Sequence, residues 1–366
     1  MPNPYFDSIE KNFGFGFMRL PMIGEEVDIP QTRQMVDMFL ENGFNYFDTA
    51  HGYIGGKSEL AIGQCLASRY PRDRFILTNK LSGNYFETRE DIRPLFQQQL
   101  DACQVDYFDF YLMHALNEKS FARYKEVGAF DTALELKAEG KIKHLGMSFH
   151  DKAAVLDQIL TEIPEIEVVQ IQFNYADFED EKVESRKCYE VCRKHGKPVI
   201  VMEPVKGGSL VNLPGSAQKV FDQLQGGSNA SYAIRFAAGF EGMMMVLSGM
   251  SNLEQMADNL SFMKDFKPLS REEREAVDKV TLLYRNQALI PCTGCRYCTE
   301  VCPQEIPIPD LFARLNAKRQ GQAGDFPALS GGKAVDCVKC GSCENICPQN
   351  LNIRELLVVA SEEMDE

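Results

Sequence analysis

Phe44-Asn45-Tyr46-Phe47-Asp48-Thr49-Ala50-His51-Gly52-Tyr53 begins as a run of bulky apolar residues and breaks into a polar loop at Asp48. Aromatic residues packed into so short a run predict a buried strand. Two further strand-like runs end the same way, 74–79 on Lys80 and 107–113 on His114. Three successive strands therefore deliver an ionisable group at their C-terminal ends. In a (β/α)8 barrel those ends meet on one face, where the chemistry of that fold is built. The expectation is that Asp48, Tyr53, Lys80 and His114 face a single pocket. Taken singly, each is more often a turn or surface residue; four in order at three consecutive strand ends point to a catalytic set.

The rest of the chain keeps the alternation that a barrel needs. Strand-like segments at 13–21, 143–148, 168–173, 198–202 and 243–247 join the three above. Helix-like segments at 30–42, 57–69, 89–104, 131–139, 152–162, 181–194, 229–238 and 253–265 lie between and after them. Strands each followed by a helix predict the α/β class, with a parallel sheet closed as a (β/α)8 TIM barrel. Connections 114–130 and 205–228 are longer than closure requires and are expected as loops, either walls of the substrate pocket or ordinary surface. The predicted division is a barrel over 1–268, a linking helix over 269–290 and a small iron–sulfur, ferredoxin-like domain over 291–366.

The four residues suit proton delivery to a carbonyl oxygen. A tyrosine hydroxyl titrates near 10 and is a poor acid at neutral pH unless a nearby ammonium stabilises its anion. Lys80 supplies that charge, Asp48 holds Lys80, and His114 orients the carbonyl while Tyr53 acts as general acid. The order Asp, Tyr, Lys, His, followed by Gly55-Gly56-Lys57-Ser58-Glu59, resembles the aldo-keto reductase family over 13–266. That resemblance implies an oxidoreductase acting on a small carbonyl or alcohol, with NAD(P)H as hydride donor. It also implies cofactor contacts at Ser148 and Gln170 for the carboxamide, at Glu203, Val205 and Gly207 after the seventh strand, and at Ser248, Gly249, Ser251, Gln255 and Asn259. The chain departs from the family's pattern at Phe149, at Met202, and at Gly249 and Gln255, where NADP-binding members carry Lys and Arg. The cofactor is therefore open among NADP, NAD and FMN.

Twelve cysteines in a 366-residue chain point to metal ligation or buried thiols before disulfides. Cys65, Cys103, Cys188 and Cys192 lie in the barrel and are expected as buried packing. The other eight form two copies of one pattern: Cys292-x-x-Cys295-x-x-Cys298-x-x-x-Cys302-Pro303 and Cys337-x-x-Cys340-x-x-Cys343-x-x-x-Cys347-Pro348. This is the bacterial ferredoxin spacing, in which the fourth cysteine of a run ligates the other 4Fe-4S cluster. Zinc, which prefers ligands in two pairs, leaves the eight-thiol regularity without a reason, and so does a disulfide scaffold. One cluster is assigned to Cys292, Cys295, Cys298 and Cys347, the other to Cys337, Cys340, Cys343 and Cys302. The segment resembles two-cluster ferredoxins over 291–356, with a longer insert at 304–336 containing a predicted helix at 310–320.

A net charge of −14 argues against nucleic acid or an anionic membrane surface as the main partner. No run of about 18 apolar residues predicts a membrane span, and a cytoplasmic location is expected. The fusion reads as an oxidoreductase coupled to a one-electron partner such as ferredoxin or flavodoxin. A flavin- or ferredoxin-dependent reductase fed by the clusters, or a non-catalytic redox sensor, are the other readings.

Overall fold

A computed structural model describes residues 5–224, 226–287, 289–321 and 329–364, so residues 322–328 of the 304–336 insert lie outside the described residues. The chain forms two compact units: Met1–Pro204 with Gly226–Arg274, and Val205–Gln225 with Glu275–Glu366.

In the first unit, strands β1 (Phe13–Gly16), β4 (Tyr46–Asp48), β5 (Ile76–Leu81), β6 (Phe108–Leu116), β7 (Ile142–Phe149), β8 (Val168–Gln172), β9 (Val199–Met202) and β10 (Met243–Gly249) close a barrel in the order β1-β10-β9-β8-β7-β6-β5-β4. Every neighbouring pair runs parallel. Helices α1 (Ile29–Glu41), α2 (Lys57–Ile62), α3 (Arg89–Cys103), α4 (Glu118–Glu126), α5 (Ala129–Ala138), α6 (Ala153–Glu162), α7 (Ser185–Lys194), α9 (Asn229–Ala238) and α10 (Leu253–Met263) make the crossovers.

Strand alternation explains where the site lies. Tyr46, Ile76, Phe110, Leu112, Val168, Ile200 and Leu247 pack into one buried cluster. Side chains two apart on a strand share a face. Asp48 follows Tyr46, Lys80 follows Ile76 by four, His114 follows Leu112 and Gln170 follows Val168. The barrel interior is thus apolar along the strands and becomes ionisable at their C-terminal ends.

Several elements differ from expectation. Strand β1 stops at Gly16, and Phe17–Arg19 forms a 3-10 turn, followed by a small hairpin of β2 (Met22–Ile23) and β3 (Glu26–Val27). The helix expected at 57–69 ends as α at Ile62 and continues as a π-turn over Gly63–Ala67. The connection expected as loop at 114–130 holds α4, started by a capping box between Asn117 and Ser120. Short polar helices of this kind lack the long apolar stripe by which sequence reading recognises a helix.

Among its described residues the second unit is helical and has no strand: α8 (Gly215–Phe221), most of α11 (Arg271–Arg285), α12 (Tyr297–Glu300), α13 (Ile308–Arg319), α14 (Ser342–Ile346) and α15 (Ile353–Met364). Its core joins Ile306, Leu311, Phe312, Leu315 and Leu357 to the buried Cys298 and Cys343, with Cys292, Cys302, Cys337 and Cys347 packed against it. Ile290, Ile308, Leu351, Ile353 and Ala360 are buried in the same core. Among the described residues no helix is long and apolar enough to cross a membrane.

Candidate active site and cysteine sites

Lys80 is fully buried, and its ammonium spends its three donors inside the barrel mouth. Nζ donates to Asp48 Oδ1 at 2.6 Å, to the Thr49 carbonyl at 2.8 Å and to the Tyr53 hydroxyl at 3.2 Å. The same Nζ stands 4.8 Å from the Tyr53 ring centre, and the Tyr53 ring meets His114 edge-on at 5.9 Å. Ser82, two residues beyond Lys80, shares a 2.6 Å hydrogen bond with His114 Nδ1.

Tyr53 owes its aim to the backbone that follows it. Ile54, Gly55 and Gly56 have φ of +53°, +60° and +85°. Two of these three left-handed positions are glycine, which carries no Cβ penalty there; the β-branched Ile54 is strained. The run turns the chain from Tyr53 straight into α2, which buries Glu59. Glu59 accepts from Asn79 at 2.8 Å and from Gln99 at 3.1 Å, and pairs with His51 at 2.8 Å. Gln99 in turn donates to the Lys80 carbonyl at 2.9 Å and accepts from Tyr111 at 2.6 Å. This buried network braces the backbone of Lys80 from outside the barrel.

Burial pushes the Asp48 carboxyl above the usual carboxylate range, partly offset by Lys80 and by the amide of Gln170. Burial likewise pulls the Lys80 ammonium below its ordinary value, offset by Asp48. His114 is held well below the usual imidazole range by burial, then by the charges of Lys80 and His150. It is neutral at pH 7.

The expected cofactor contacts fall into two groups. In the first unit, Ser148 and Gln170 pair in register across β7 and β8 at the mouth. Ser148 Oγ accepts from the Ala115 amide at 2.7 Å, and the carbonyl of Glu203 accepts from Asn174 at 3.0 Å. Asn259 donates to Ser248 Oγ at 3.2 Å, so these two buried groups satisfy each other. The start of α10 is self-capped: Asn252 accepts from the Gln255 amide and Gln255 from the Ser251 amide, both at 2.8 Å. Arg19 lies across Gly249, where an added Cβ would stand 3.1 Å from its own Cβ. Val205 and Gly207 belong to the second unit. There, a Cβ on Gly207 would fall 2.3 Å from the Thr293 carbonyl oxygen, and Tyr284 donates to Ser209 at 3.0 Å.

Sequence reading missed Ser82, Glu59, Asn79 and Gln99. Ser82 was legible, since it sits two residues beyond Lys80, just past the end of β5. The partners of Glu59 lie 20 and 40 residues away and carry no local signal.

In the second unit, Cys292, Cys295, Cys298 and Cys347 line one cavity with Thr293 and Phe312. Cys302, Cys337, Cys340 and Cys343 line another with Ile306 and Leu357. Each cavity takes three thiols from one run and the fourth from the other. Four thiols around one pocket could serve as the donor set of an iron–sulfur cluster.

Comparison with known proteins agrees with both halves. Residues 12–281 match the aldo/keto reductase family and residues 291–351 match the 4Fe-4S dicluster domain. The NADH-specific methylglyoxal reductase of Escherichia coli is 26% identical over 210 residues, half of this chain and 62% of that protein. An aldo-keto reductase of Mycobacterium avium is 24% identical over 71% of this chain and 86% of its own length. The holo form of an aldo-keto reductase from Bacillus halodurans superposes with a TM-score of 0.61 at 23% identity, over 76% of this chain and 95% of that one. One from Klebsiella pneumoniae, solved in complex with NADPH, gives 0.60 at 20%, over 75% and 90%. With the family matched across most of its length and a closed barrel carrying the expected residues at its mouth, the chain belongs to the aldo/keto reductase family and carries a C-terminal 4Fe-4S dicluster domain.

Proposed function

We propose that the chain reduces a small carbonyl compound, or oxidises the corresponding alcohol, with Tyr53 as general acid and a nicotinamide dinucleotide as hydride donor, and that two 4Fe-4S clusters, one electron each, pass the pair of electrons that a hydride holds between the nicotinamide and an external one-electron partner. The observation that carries the reading is the ammonium of Lys80 held between Asp48 and the Tyr53 hydroxyl. Negative charge that develops on the Tyr53 oxygen as it gives up its proton is met by a fixed positive charge 3.2 Å away. Asp48 keeps that charge in place against the pull of burial. Neutral His114, its Nδ1 engaged by Ser82, offers its other ring nitrogen to the carbonyl oxygen. When bound, the nicotinamide supplies hydride to the carbonyl carbon and the clusters carry single electrons. Ser148 and Gln170 are the residues to orient its carboxamide; the donor sets Cys292, Cys295, Cys298, Cys347 and Cys302, Cys337, Cys340, Cys343 hold the clusters.

NAD and NADP both suit the site: Gly249 and Gln255 bring no cation, while Arg19 lies across Gly249. The name of the Escherichia coli relative specifies NADH, and the Klebsiella pneumoniae structure holds NADPH. Tyr53→Phe tests the acid. Carbonyl turnover is expected to fall by about 10²–10⁴-fold with nucleotide binding kept; turnover at the wild-type rate would remove Tyr53 from the chemistry. An anaerobic visible spectrum before and after NADH, then NADPH, tests the coupling. Bleaching of the iron–sulfur band by either nucleotide supports it, and a flavin band in the starting protein replaces the nicotinamide with a flavin.

A further inference from the structure

His114 is gripped from behind by residues that the proton transfer itself does not use. Ser82 follows directly on β5 and is buried, and its hydroxyl lies 2.6 Å from His114 Nδ1. Among the described residues that hydroxyl hydrogen-bonds to no other group. Helix α4 fixes where Ser82 stands. The buried Tyr124 hydroxyl donates to the Leu81 carbonyl at 2.7 Å and lies 3.3 Å from the His114 carbonyl, so one group ties β5 to β6 beside both residues. Its neighbour Arg123 donates to the carbonyls of Gly83 and Phe86 on the other side of Ser82, the first at 2.6 Å. A Cβ on Gly83 would stand 3.1 Å from the Tyr124 ring and 3.2 Å from the Arg123 guanidinium, so the segment lies close against the helix.

A neutral imidazole carries one proton, on either ring nitrogen, and the partner of one nitrogen decides the state of the other. Two arrangements fit the contact between Ser82 and Nδ1. In the first, Nδ1–H donates to the serine oxygen, and the proton of a buried hydroxyl is left without an acceptor. In the second, the hydroxyl donates to a bare Nδ1, and the ring proton sits on Nε2. A buried donor left unsatisfied is costly, so the second arrangement prevails. It is also the one that carbonyl chemistry needs, because a carbonyl oxygen can only accept.

We propose that Ser82, held in place by Tyr124 and Arg123 of α4, is a positioning residue that fixes the His114 proton on Nε2 and so makes a neutral imidazole a hydrogen-bond donor to the carbonyl oxygen of the substrate. The inference rests on reading Asp48, Tyr53, Lys80 and His114 as a carbonyl site. His114 keeps its proton throughout: hydride to the carbon and the Tyr53 proton to the oxygen complete the alcohol, and Nε2–H only hydrogen-bonds to that oxygen as negative charge builds on it. Without the serine hydroxyl both tautomers are open, and the one with its proton on Nδ1 turns a lone pair towards the carbonyl oxygen.

The test is nitrogen-15 NMR of the full chain labelled at histidine, kept anaerobic with its clusters oxidised, the His114 signals being assigned by their loss in His114→Gln. The wild-type chain is expected to show Nε2 protonated and Nδ1 bare. Ser82→Ala should give a mixture of tautomers, and Ser82→Thr, which keeps the hydroxyl, should restore the wild-type pattern. Reduction of 4-nitrobenzaldehyde with NADH and with NADPH is measured on the same proteins. In Ser82→Ala kcat is expected to fall about tenfold or more with nucleotide affinity unchanged, and Ser82→Thr should recover most of it. Tyr124→Phe, which loosens the grip of α4, should lower kcat in the same direction by less. A proton on Nδ1 in the wild-type chain would overturn the proposal, and so would the wild-type tautomer and kcat in Ser82→Ala. A loss in Ser82→Ala that Ser82→Thr does not recover also overturns it, since bulk and not the hydroxyl would then be at work. Absence of carbonyl turnover in the wild-type chain counts against the carbonyl reading itself, and the tautomer then decides this inference alone.

Discussion

At the scale of single residues the site is built on a buried ion pair. Lys80 and Asp48 are almost completely buried, so each charge depends on the other. Lys80→Met leaves a lone carboxylate in the barrel and is expected to cost about 3–5 kcal/mol, whereas Lys80→Met with Asp48→Asn should recover most of that stability without recovering activity. Urea unfolding of the single and double variants measures it. His114 makes the second prediction. Its folded value lies well below the ordinary imidazole range, so below about pH 6.5 the unfolded chain takes up a proton that the folded chain refuses. Stability should therefore fall as pH drops from about 6.5 towards the folded value, and His114→Gln should flatten that slope in unfolding midpoints taken at intervals across the range.

At the scale of elements, the loop after β9 stands out. Barrel chemistry is built on the loops that follow the strands, yet 205–225 folds with the iron–sulfur unit. Gly207, with φ of +64°, leaves no room for a Cβ against Thr293. Gly207→Val is expected to cost about 1–3 kcal/mol, from the left-handed backbone alone. The displaced Thr293 should make the adjoining cluster more labile, read as faster loss of iron to a chelator.

For the whole molecule, the two units differ in what holds them. The barrel has its aromatic and aliphatic interior, whereas the core of the second unit mixes aliphatic residues with six of the eight cysteines of the two runs. Iron removal is thus expected to unfold the second unit and leave the barrel's own unfolding transition in place. Circular dichroism should lose helix in proportion to α8, α12–α15 and the part of α11 beyond Glu275, and limited proteolysis should cut both beyond Glu275 and within 205–225, since both segments share that unit.

Much of this was legible in the chain itself. Short aromatic runs ending on Asp48, Lys80 and His114 declared the barrel and its mouth, because burial along a strand and polarity at its end are local properties of composition. The two cysteine runs declared their cofactor for the same reason, since the spacing of thiols along a loop is a covalent property. Position in space is not covalent. The chain order also anticipated Lys80 between Asp48 and Tyr53 and a fourth cysteine exchanged between the two runs, whereas the bracing of Lys80 by Gln99 and Glu59 depends on which segments closure brings together. The fate of 205–225 was the least visible of all. Its Gly, Ser and Asn content says only that it leaves the sheet; that it packs into the second unit is visible only in contacts such as Gly207 against Thr293 and Ser209 with Tyr284, between residues far apart in sequence that no local pattern encodes.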